Sequence, residues 1–106
     1  MAAFKRENQD SQWLLSDINW SKLDLTSVTP ELLAAVKTAA LVEANSGDYV
    51  IYLHNIFPND AEFKRLADIW GEEEVQHGAA LGRWAELVDP TFDFSSRVDH
   101  FRSLYQ

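Results

Sequence analysis

Two stretches of the chain repeat apolar residues at three- and four-residue steps, and each carries polar groups in the middle of its stripe. In the first, Leu32, Val36, Ala39, Glu43, Ser46, Val50, Leu53 and Phe57 fall on one helical face. Glu43 stands seven residues after Val36 and seven before Val50, so a carboxylate occupies a position whose heptad equivalents are valines. In the second, Phe63, Leu66 (with Ala67), Trp70, Glu74, His77, Leu81, Trp84 and Val88 do the same. Of the three consecutive glutamates Glu72, Glu73 and Glu74, this spacing turns only Glu74 inward, together with His77, and assigns Glu72 and Glu73 to solvent.

Start and stop signals bound these stripes. Thr29-Pro30-Glu31 predicts a helix start, with Thr29 as cap and Pro30 at the first helical position. The first helix is expected over 29–57, with Gly47 a weak point that does not end it, which gives about 27 residues or ~40 Å. Pro58-Asn59-Asp60 breaks the chain, with Asn59 as the expected cap and Glu62 completing a capping-box pattern. A second helix is expected over 59–89 and stops at Asp89-Pro90. So tight a connection forces an antiparallel hairpin. Residues 1–28 lack a sustained period and read as an N-terminal arm that docks on the helices, its Trp13 and Trp20 placed to lie across a groove. Residues 91–106 form a C-terminal segment in which Phe92, Phe94, Val98, Phe101 and Tyr105 predict a short helix capped by Ser95 or Ser96.

Composition narrows the function. The 106 residues fit one small all-α domain, and 46% hydrophobic with 12% aromatic residues requires a packed fold. A net charge of -8 excludes a nucleic-acid surface and disfavours an anionic membrane. With no cysteine, a metal would have to use carboxylates and imidazole. The N-terminus carries no signal-peptide core and no stretch is apolar enough to span a membrane, so the expected location is the cytoplasm. A phosphate loop, a nucleophile elbow and a His-Glu-x-x-His pair are all missing from the sequence.

The chemistry concentrates in three residues. Glu43 lies fifteen residues before Pro58 and Glu74 sixteen after it, so the hairpin sets them at nearly one height, with His77 a turn from Glu74 on the same face. Carboxylates on a buried stripe must be paired, hydrogen-bonded or bound to a cation. The pairing alternative is a polar network in which Lys37 or Arg83 meets Glu43 or Glu74. His54, on the flank of the first stripe near the turn, reads as a surface or supporting residue and not a ligand.

Glu43 followed by Glu74-x-x-His77 resembles one half of the ferritin-like di-iron carboxylate proteins, over about residues 30 to 89. The run Glu73-Glu74-Val75-Gln76-His77-Gly78 also resembles the matching helix of plant-type acyl-carrier-protein desaturases in the same superfamily. The resemblance implies an antiparallel hairpin forming half of a four-helix bundle. By the same resemblance, Glu43 would be a terminal carboxylate of one iron, Glu74 a bridging carboxylate, and His77 the imidazole ligand of that iron. It implies a di-iron or manganese-iron cofactor and an oxidoreductase or ferroxidase that reacts with dioxygen or peroxide. The second Glu and Glu-x-x-His are absent: Glu86 is the only later glutamate, and Arg97 stands three residues before His100. A homodimer, as in two-helix encapsulated ferritin-like proteins, or a missing C-terminal half would supply them, and an end at Gln106 without a stop signal tilts the expectation to the latter. The alternative is a metal-free helical interaction or assembly module whose Glu/His layer fixes register.

Overall fold

Helix α1 spans Pro30–Ala44 in the computed structural model, which describes residues 13–104. The Thr29 hydroxyl accepts the Leu32 N–H at 3.1 Å, satisfying one of the donors that a helix start leaves free. The single helix expected from the stripe divides at Asn45, two residues before Gly47. There the Asn45 side chain donates to Leu41 O at 2.7 Å, while its own N–H turns to Val42 O at 3.2 Å. The Ser46 hydroxyl also takes a main-chain carbonyl, Glu43 O, at 2.8 Å. Polar side chains thus compete with the main chain for its own acceptors, and helix α2 (Ser46–Ile56) restarts beyond them.

The turn closes through Asp60 N–H to Phe57 O at 3.3 Å, which puts Asp60 ahead of the next helix where the sequence pointed to Asn59. Its carboxylate accepts the Phe63 N–H at 2.9 Å, and Glu62 pairs with Arg65 instead of reaching back as a capping box. Helix α3 (Ala61–Val88) is 28 residues long. Helix α4 (Phe94–Ser103) is capped by Asp93, whose carboxylate accepts the Ser96 N–H at 3.2 Å; the expected caps were Ser95 or Ser96. The described part of the arm forms three short 3-10 turns, Leu15–Asp17, Trp20–Lys22 and Leu25–Ser27. The arm's first twelve residues and Tyr105 lie outside the described residues. Among the described residues all regular structure is helical, and no helix is long and apolar enough to cross a membrane.

Both α1 and α2 lie along α3, and α4 folds back against α1. The seam is the buried face of α3 and is made of small residues, Ala67, Gly71, Gly78, Gly82 and Ala85: Gly78 lies against Ala40 and Ala44 of α1, Gly71 against Val50 of α2, and Gly82 against the Phe94 ring of α4. At Gly78 the two main chains almost touch, since a Cβ there would lie 2.7 Å from Ala44 N and 3.0 Å from Ala40 O. Ala67 belongs to the predicted stripe, whereas Gly71, Gly78, Gly82 and Ala85 each directly follow a stripe residue, so most of the seam is rotated by about 100° from that stripe. Four large stripe residues beside it stay open, Leu66 49%, Trp70 40%, Leu32 46% and Phe57 45% exposed, while Val36, Val50, Leu53, Phe63, Leu81, Trp84 and Val88 are half-buried. The radius of gyration is 15.9 Å, against about 13 Å for a compact domain of this length. An apolar flank of the hairpin therefore faces solvent.

The far end is tied electrostatically. Lys37 Nζ lies 2.7 Å from Asp89 Oδ2 and 5.1 Å from the Phe92 ring centroid, joining α1 to the chain just past α3. Hydrogen bonds from Lys37 and from Thr91 hold the Asp89 carboxyl at about 2, below its ordinary 3.8.

Candidate metal centre

The division at Asn45 leaves Glu43 in the last turn of α1, beside the closest approach of the two helices. Across the seam His77 immediately precedes Gly78, and Glu74 lies a turn earlier on α3. Main-chain contact at Gly78 thus sets the spacing between Glu43 and the α3 pair. His77 Nδ1 lies 3.7 Å from Glu74 Oε1 and 3.9 Å from Glu43 Oε2. One ligand atom from each of the three falls within 4.8 Å of the others.

The electrostatics are those of a site with surplus negative charge. Burial pushes the Glu43 carboxyl above its ordinary 4.5, the Glu74 charge and a shared hydrogen bond push it the same way, and His77 opposes them. Glu43 Oε2 is buried and makes no hydrogen bond. The two basic residues of the pairing alternative are engaged elsewhere, Lys37 with Asp89 and Arg83 over the Trp20 ring at 5.4 Å, while Arg102, which lines a hollow beside Glu43 and Glu74, donates to Asn45 Oδ1 at 3.1 Å. Two carboxylates and an imidazole suit a borderline or hard divalent ion such as iron, manganese or zinc. Bonds of about 2.1 Å let one ion join donors up to about 4.2 Å apart, which covers both distances from His77 Nδ1. An orphaned carboxylate oxygen next to a second carboxylate fits such an ion.

Two hollows flank the cluster. One, of about 440 Å³, runs from Glu43 and Glu74 between Val42, Tyr49, Trp70 and Phe101. Its aromatic wall is ordered by an edge-on contact of Tyr49 and Trp70, ring centroids 5.9 Å apart. The other, of about 290 Å³, lies between Glu43, His77, Leu81 and Trp13. Trp13 comes from the arm and stacks on His77, centroids 6.1 Å apart and planes within 8°. The Gln76 side-chain amide donates to Trp13 O. Sequence periodicity cannot place such a residue, and its only signal is a tryptophan in a segment with no stripe of its own. His54 stands apart from the cluster, its Nε2 2.8 Å from Asp68 Oδ1. Glu72 is exposed and Glu73 half-buried.

Comparison with protein-family models, with curated proteins and with solved structures gives no match.

Proposed function

We propose that this chain supplies one half of a carboxylate-bridged di-iron centre of the ferritin-like type, or of its manganese-iron counterpart. The other half comes from a second hairpin facing the open flank, in a second copy of the chain or in further polypeptide. The observation that carries this reading is the convergence of Glu43, Glu74 and His77, with ligand atoms within 4.8 Å of one another. The exposed apolar flank around the cluster supports the second part, because such a surface favours burial against another.

When bound, a centre of this kind supplies electrons and Lewis acidity to dioxygen or peroxide, which makes oxidoreductase or ferroxidase chemistry the reading of the whole. Within the chain, Glu43, Glu74 and His77 would hold the ions, the two carboxylates offsetting their charge and His77 offering Nδ1, the nitrogen that faces both carboxylates. Val42, Tyr49 and Trp70 give the site an apolar wall. Anaerobic titration with Fe(II), then admission of O2 with oxo-bridge absorbance and particle mass followed together, tests the reading. Near-stoichiometric uptake is expected, lost in Glu74→Ala and His77→Ala. Uptake that survives both substitutions overturns it, as does no uptake either by this chain or by a longer one that supplies the second hairpin.

A second reading, a metal-free assembly module, is favoured by the upward shift at Glu43, since a proton shared with Glu74 would also satisfy the pair. Exposed Ile51, Tyr52 and Ile56 fit it as well. It expects a stable oligomer whose mass and melting temperature ignore added metal.

A further inference from the structure

His77 is the least confined member of the cluster: its side chain is 44% exposed, against 29% for Glu43 and 22% for Glu74. An imidazole on an open helix face has several rotamers, and only those aiming Nδ1 at the carboxylates are useful to a shared ion. The Trp13 ring lies nearly parallel to the imidazole. The segment carrying it is fastened on both sides of His77 in sequence, by Gln76 to Trp13 O and by Arg83 over Trp20. Trp20 Nε1 in turn donates to Leu15 O at 3.1 Å, which folds the segment back on itself.

We propose that Trp13 is a positioning residue for His77: its stacked ring holds the imidazole with Nδ1 towards Glu43 and Glu74. This rests on the metal-binding reading above. Groups that orient a ligating histidine usually hydrogen-bond its second nitrogen. Here a ring face restricts the rotation instead, and Trp13 borders the open hollow that it shares with Glu43, His77 and Leu81.

Two measurements on the full chain test it. In metal-free protein, NMR should find the His77 ring protons shifted by the Trp13 ring current; the shift should vanish in Trp13→Ala and persist in part in Trp13→Phe. In anaerobic Fe(II) titrations Trp13→Ala should bind about tenfold more weakly, the usual scale for loss of a group that orients a ligand, with Trp13→Phe recovering most of the loss. Equal metal affinity in wild type and Trp13→Ala, or an equal fall in both variants, overturns the positioning role. A wild type that takes up no metal, either alone or in a longer chain that supplies the second hairpin, overturns the reading of the site, while the NMR shifts separately decide whether Trp13 orients His77.

Discussion

Burial and the Glu74 charge both oppose ionisation of Glu43 and push its carboxyl above the ordinary 4.5. Its folded pKa is raised, so its contribution to stability is complete below its ordinary 4.5 and is lost as pH rises through the folded value. In metal-free protein, Glu43→Gln should therefore raise the urea midpoint at pH 7, and this advantage should shrink to nothing below pH 4.5. The same substitution should abolish Fe(II) uptake, setting stability against binding at one residue. Asp89 works with the opposite sign. Its pKa is lowered, so its contribution is present above 3.8 and disappears as pH falls from there towards about 2. Asp89→Asn should melt earlier than wild type at pH 7 and no differently at the acid end of that window, as measured by circular dichroism. Glu43, Glu74 and His77 were legible in the sequence because each interrupts an apolar stripe at helical spacing. The arm's docking with Trp13 over a groove was legible too, but its stacking on His77 was not, because the arm's route over α3 depends on single contacts from Gln76 and Arg83 that no periodicity encodes.

Among elements, the seam between α1 and α3 decides most. Gly78→Ala would drive a methyl into the main chain at Ala40 and Ala44, costing about 1–3 kcal/mol despite the better helix propensity of alanine. Gly47 in the first turn of α2 has open space beside it, so Gly47→Ala should instead stabilise by about 0.5–1 kcal/mol. Thermal melts of the two variants moving in the same direction would refute this account of the seam. The hairpin could be read from caps and breakers, and the interior glycines Gly71, Gly78 and Gly82 signal close packing, but the stripe does not show which face makes it. Hydrophobic periodicity follows large residues such as Leu66 and Trp70, whereas closest approach is won by the small residues that follow them, Ala67 and Gly71. The division at Asn45 escaped for a related reason: it depends on side chains capturing carbonyls three and four residues back, a local competition that stripe spacing does not register.

For the whole molecule, the described buried hydrophobic set is small, consisting of Ala40, Ala67, Ala85 and Phe92, while Tyr49, Ile51, Trp70 and Val75 remain exposed. A core this slight gives a lone chain limited stability. If a second copy covers the open flank, the melting temperature should climb with protein concentration, and Tyr49→Glu, placed on that flank, should abolish the climb and reduce the mass in analytical ultracentrifugation. A melting temperature independent of concentration would leave further polypeptide as the source of the second hairpin. The contact at Gly78 bears on how such an assembly would form. Where main chain rests on main chain there are no rotamers to reorganise, so α1 and α3 approach a partner as one pre-shaped plate. Ligand spacing across the seam is then settled before the encounter, and association surrenders little of the conformational freedom that a softer joint would have to give up.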